Sequence, residues 1–117
     1  MNIFIICTVR GATDDYKRIL EGYVEGLEKI GHNVHLPHRD TDQGMTGKNI
    51  CTQNFNAILR ADEVHVFYNS ESQGTHFDLG MAFALKTKLV VVESIPYGEG
   101  KSFPRMLDEW AEDKYYV

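Results

Sequence analysis

The chain has 117 residues, 43% of them hydrophobic, and 12 basic against 17 acidic side chains leave a net charge of −5. That length suits one domain, residues 1–117, with a core that needs no disulfide or metal staple. The acidic balance argues against a nucleic acid polymer as partner, since that affinity comes from neutralised phosphates, and against a basic membrane-surface protein.

The chain opens on Asn2-Ile3-Phe4-Ile5-Ile6-Cys7-Thr8, a β-branched and aromatic run without polar alternation. Such a run fits a strand buried on both faces, as in a parallel sheet. It is too short to span a membrane and lacks the basic lead of a signal peptide. Cys7 and Cys51 form neither a C-x-x-C pair nor a zinc spacing, and Cys7 reads as core. A soluble, cytoplasmic protein is expected.

Thr13 can cap a first helix, with Asp14 and Asp15 favourable in its first turn. Tyr16, Ile19, Leu20, Tyr23, Val24, Leu27 and Ile30 follow at steps of three and four, and Gly31 is a natural stop. Residues 33–36 form a short strand ended by Pro37, and His38 to Gly47 read as a polar loop. Thr46 suits the start of a helix with Ile50, Phe55, Ile58 and Leu59 inward. Val64 to Tyr68 make a third strand, Asn69 to Gly74 a loop, and the nearly apolar Phe77 to Leu85 a buried helix. Leu89 to Glu93 form a fourth strand, and a last helix runs from about Phe103 to Asp113 with Trp110 inward. Tyr115 and Tyr116 are candidates for packing on the domain or on a partner.

Alternating strands and helices imply an α/β protein: a small doubly wound (Rossmann/flavodoxin-like) parallel sheet of about four to five strands flanked by helices. Ligands of such sheets bind at the carboxyl ends of the strands. That rule selects the loops 8–13, 37–46 and 69–75.

In the first of these, Thr8-Val9-Arg10-Gly11-Ala12-Thr13 runs from a strand through a glycine turn into a helix N-terminus. Either it is an ordinary turn with an exposed Arg10, or backbone amides and the Arg10 fork hold an anion there. In the third, Gly74 allows close backbone approach, and Thr75-x-x-Asp78 has the spacing of a capping box. Asp78 therefore serves either as a cap or as a carboxylate facing the cleft, where it can act as nucleophile or general base. Gly80, Ala82 and Ala84 suit close helix–sheet packing. Gln53 and Asn54 are surface polar residues or site contacts. The second loop, with His38, Arg39, Asp40 and Asp42, lacks paired-histidine metal spacing and suits contact with a base or sugar better.

The segment Ser72-Gln73-Gly74-Thr75-His76-Phe77-Asp78-Leu79-Gly80-Met81-Ala82 resembles the G-T/V-x-x-E-L-G-x-A segment of the nucleoside 2-deoxyribosyltransferase superfamily. Cys7-Thr8-Val9-Arg10-Gly11-Ala12 is similar to the G-S-I-R-G-G phosphate loop of its 2-deoxynucleoside 5-monophosphate N-glycosidase branch. Ala61-Asp62-Glu63-Val64 also fits, and the order of these segments holds over residues 2–93.

The resemblance implies an N-glycosidase or deoxyribosyltransferase that cleaves the N-glycosidic bond of a nucleoside or nucleoside 5-monophosphate. A carboxylate attacks the anomeric carbon, and water or a second base resolves the glycosyl-enzyme ester. Carried over position by position, Asp78 falls on the nucleophilic glutamate and Asn54 near an assisting acidic residue. Thr8, Arg10, Gly11, Ser72 and Gly74 fall on phosphate-binding positions, with the Thr75 backbone and Arg39 of the second loop joining the binding set. Phe4 stands where the family has a hydroxyl-bearing aromatic. The implied partners are a small-molecule nucleoside or nucleotide and further copies of the chain, in a homodimer or higher homo-oligomer, with no cofactor and no metal. Two departures matter: Asp78 is one methylene short, and a misplacement of about 1 Å can cost on the order of 100-fold; Asn54 cannot transfer a proton. The alternative is a catalytically weak or inactive module that binds a nucleotide or an ADP-ribose-like ligand.

Overall fold

The apolar opening run forms β1 (Asn2–Ile6), paired in parallel with β2 (Asn33–His35) on one side and β3 (Glu63–Phe67) on the other. A fourth parallel strand, β4 (Lys88–Glu93), completes the order β2-β1-β3-β4. The computed structural model describes residues 1–112, so Tyr115 and Tyr116 lie outside the described residues. The expected α/β sheet is present, with four strands.

Helix α1 (Asp14–Lys29) covers one face of the sheet, where Leu20 and Val24 meet Ile3, Ile5, Val34 and Phe67. On the opposite face, Phe4, Ile6, Val64, Val66 and Leu89 pack against α3 (Gly47–Arg60), α4 (Gln73–Ala84) and α5 (Phe103–Glu112). Each Leu, Ile or Phe fully withdrawn from water there contributes about 1.5–3 kcal/mol. The Trp110 indole N–H donates to the Thr87 carbonyl at 3.1 Å and fastens α5 to the turn before β4. Among the described residues no helix is long and apolar enough to cross a membrane.

Three expectations need correction. The polar loop after Pro37 contains a helical turn, α2 (Pro37–Asp40). Proline's fixed φ suits a first helical position, and the Asp40 carboxylate closes the turn by accepting the Leu36 amide at 2.8 Å. The inward stripe of α3 is Asn54, Ala57 and Ile58, whereas Phe55 and Leu59 are exposed. Helix α4 is buried on one stripe only, Thr75, Asp78, Leu79 and Ala82, at the same steps of three and four. Phe77, Gly80, Phe83 and Ala84 face outward, so close packing explains Ala82 but neither Gly80 nor Ala84.

Candidate active site

The chain leaves β1 towards β2 on one side and later crosses to β3 on the other, so the switch point lies between β1 and β3. In open α/β sheets the ligand site lies at such a point, outside the carboxyl ends of the strands. The loops leaving these two strands are joined by a hydrogen bond from Asn69 Nδ2 to Thr8 Oγ1 at 3.0 Å. After Thr8, a turn closes with the Ala12 amide donating to the Val9 carbonyl at 3.2 Å. Gly11 sits in it at φ +77°, a conformation that side chains disfavour. Arg10 at the tip of this turn is exposed and makes no hydrogen bond or ion pair among the described residues. Thr13 caps α1 as expected, its hydroxyl accepting the Tyr16 amide at 3.1 Å.

Across the switch point, α4 starts one turn earlier than the Thr75 cap requires. Ser72 is the N-cap, accepting the Thr75 amide at 3.2 Å, while the Thr75 hydroxyl is buried without a partner among the described residues. Asp78 is thereby moved into the second turn, and the capping-box reading of Thr75-x-x-Asp78 fails. Asp78 is 6% exposed. Burial pushes its pKa up to about 7, and a hydrogen bond from Asn54 pulls the other way. The neighbouring Cys7 thiol, at the end of β1, is pushed to about 12 by burial first and then by the charge of Asp78. His76 braces the start of α4: its Nδ1–H donates to the Ser72 carbonyl at 2.7 Å, which leaves Nε2 to accept the Tyr68 hydroxyl at 2.9 Å.

Asn54 is buried on α3 and accepts the Thr41 hydroxyl at 2.8 Å. Gln53 braces the second loop instead, accepting the Asp42 amide at 3.1 Å. Arg39 is not brought to Asp78. Its guanidinium binds Glu28, Asp40 and the Val34 carbonyl, and it lines a polar cleft of about 280 Å³ with Asn2 and Asn33, at the amino ends of the strands. Phe4 is fully buried and stacks on His35, with ring centroids 5.2 Å apart, so it presents nothing to a ligand. Among the described residues, no three His, Cys, Asp or Glu side chains are placed to hold a metal ion.

Two solved structures share this fold. One is the CMP N-glycosidase BcmB of Clostridium botulinum, at a TM-score of 0.60 and 22% identity over 76% of this chain and 68% of that one. The other is a 2-desoxiribosyltransferase from Leishmania mexicana, at a TM-score of 0.58 and 25% identity over 80% of this chain and 65% of that one. The chain has the nucleoside 2-deoxyribosyltransferase fold. It spans about two thirds of each of these proteins, 68% and 65%. No family model matches the sequence, and no curated protein does.

On the 2-deoxyribosyltransferase fold, Thr8 and Ser72 belong to the two loops that flank the switch point, and Asp78 stands behind them with Asn54. Sequence reasoning misses three neighbours. Thr41 holds Asn54, and Asn69 holds Thr8. The Tyr16 hydroxyl hydrogen-bonds Thr8, and burial raises its pKa to about 12. Tyr16 carries a detectable signal, since it opens the inward stripe of α1 next to the Thr13 cap. Thr41 and Asn69 carry none beyond lying in strand-end loops.

Proposed function

We propose that the chain is an N-glycosidase or deoxyribosyltransferase of the nucleoside 2-deoxyribosyltransferase superfamily, acting on a (deoxy)nucleoside or its 5-monophosphate. The observation that carries this reading is a buried carboxyl, Asp78, with a pKa near 7, set at the switch point of a fold shared with an N-glycosidase and a deoxyribosyltransferase. The ionised carboxylate attacks the anomeric carbon. The C–N bond breaks, its electron pair leaves with the base, and the base takes a proton from water. Water or a second base then attacks the same carbon and frees the carboxylate. Arg10, the Gly11 turn, Thr8, Ser72 and the Gly74 backbone hold the phosphate, while the Thr75 amide stays with the Ser72 cap.

Incubation with nucleosides and their 5-monophosphates, followed by chromatography for free base, tests this. Base release that disappears in Asp78→Asn supports it; the same trace for both proteins rejects it. One observation favours the alternative of a nucleotide-binding module with little or no turnover: Asn54, the polar neighbour of Asp78, cannot donate a proton to a leaving base. Thermal stabilisation by nucleotides without base release selects that alternative.

The same reading includes one domain over the whole chain, a cytoplasmic setting and self-association. The exposed Phe55 and Leu59 on α3 and Phe77 on α4 support self-association, since apolar surface of this kind usually meets a partner. Light scattering after size exclusion decides it, and a strict monomer refutes it.

A further inference from the structure

Asn54 is one link in a longer buried chain. His35 Nε2 lies 2.8 Å from Thr41 Oγ1, and Thr41 Oγ1 lies 2.8 Å from Asn54 Oδ1. Asn54 in turn hydrogen-bonds Asp78. The four residues come from β2, the loop after α2, α3 and α4, and Thr41, Asn54 and Asp78 are each buried.

The donor order follows from the chemistry of each group. An ionised carboxylate only accepts, so Asn54 turns Nδ2 towards Asp78 and Oδ1 towards Thr41. Thr41 then spends its single proton on Oδ1, and its lone pair takes the proton on His35 Nε2. His35 is held in plane for this by its stack on Phe4, with 14° between the rings. The opposite polarity would point Asn54 Oδ1 at Asp78, and that oxygen can bind only the protonated carboxyl. The direction of the chain is thus coupled to the charge of Asp78.

We propose that Thr41 and His35 are positioning residues that hold the Asn54 amide with Nδ2 facing Asp78, and so keep the carboxylate available for attack. The inference rests on the reaction proposed above for its role, but not for its detection. Asp78 faces Cys7 from the residue after β1 and Asn54 from α3, and burial pushes the thiol to about 12, outside the range of the carboxyl. His35 faces the charges of Asp40, Arg39 and Arg60.

The experiment is a carbon-13 NMR titration of the Asp78 carboxyl in the parent protein, Thr41→Val and Thr41→Ser, with amide spectra to verify folding. Thr41→Val frees the amide to turn, and its midpoint is expected to rise by about one pH unit, a tenfold fall in the ionised ratio. Thr41→Ser keeps the hydroxyl and is expected to restore the parent midpoint. An unmoved midpoint in Thr41→Val, or an equal shift in both variants, overturns the proposal. Should Thr41→Val fail to fold, His35→Phe keeps a stacking ring, removes the Nε2 donor and is read by the same criterion. Base release is measured alongside. A shifted midpoint with no base release in the parent rejects the reaction and keeps the positioning role. Base release with an unmoved midpoint does the reverse.

Discussion

The Cys7 thiol, just past the end of β1, and the Asp78 carboxyl, on α4, are both buried, and the charge of Asp78 raises the pKa of the thiol. The electrostatic relation places the carboxyl at the end of β1, the side of the sheet on which folds of this kind bind their ligands. It also disposes of Cys7 as a nucleophile, because a thiol at about 12 is almost wholly protonated at neutral pH.

An Asp78 nucleophile must be ionised. Because its pKa stands at about 7 in the ligand-free protein, kcat/KM for base release is expected to climb as pH rises through that value and to level off above it. A rate profile measured from about pH 5 to 9 checks this. A profile that falls with rising pH would assign Asp78 the role of a proton donor instead.

Stability should move in the opposite direction. The Asp78 pKa is raised from 3.8 to about 7, so folding favours the neutral carboxyl. The stabilisation is complete below about 3.8 and is lost as pH rises through about 7. At about 1.4 kcal/mol per tenfold change, the ionised group costs up to about 4 kcal/mol above neutrality. Asp78→Asn removes that cost while keeping the size of the side chain. Its melting temperature is therefore expected to exceed the parent's at pH 8 and to approach it at pH 5. Calorimetry at the two pH values checks this, and a gap that widens at pH 5 would contradict it.

Arg10 is exposed at the tip of the Gly11 turn with no partner among the described residues, so its removal should leave folding untouched. A hydrogen bond between charged groups contributes about 1.5–3 kcal/mol. Arg10→Ala is therefore expected to lower kcat/KM for nucleoside 5-monophosphates by roughly 10- to 100-fold and to leave unphosphorylated nucleosides unchanged. Steady-state kinetics on the two substrate classes checks this. An equal loss on both would move Arg10 from phosphate binding to the sugar or base.

How much of this is legible in the sequence depends on the range of the interaction. Strand ends follow from runs such as Ile3 to Ile6, and the parallel topology then dictates where the ligand site lies. Arg10 and Asp78 stand in local motifs and are visible at once. The start of α4 is not, because Ser72 and Thr75 are both capable caps and packing decides between them: the Thr75 side chain is wholly buried. The facing of α3 is hidden for a related reason. Periodicity counts apolar residues, and an inward Asn54 is acceptable only because Thr41, 13 positions away, satisfies its oxygen. His35 is equally silent, since its role depends on a loop that folds back over its own strand.

His65 presents the same problem on the other face of the sheet. It is buried in β3 between Glu63 and Tyr23. Burial raises the Glu63 pKa, but hydrogen bonds from His65 and Lys88 outweigh it and hold the carboxylate below its ordinary range. An ionised Glu63 accepts a hydrogen bond from the Nε2–H of His65 at 2.9 Å, so Nδ1 is left to accept the Tyr23 hydroxyl at 2.6 Å. That last bond ties α1 to the sheet. Tyr23→Phe leaves Nδ1 buried and unpaired, which is expected to lower stability by about 1–3 kcal/mol. Base release should not change, since Glu63 begins its strand and lies at the end opposite Asp78. Urea unfolding of Tyr23→Phe beside the parent measures the loss. A change below about 0.5 kcal/mol would mean that the hydroxyl gains as much from water as from His65.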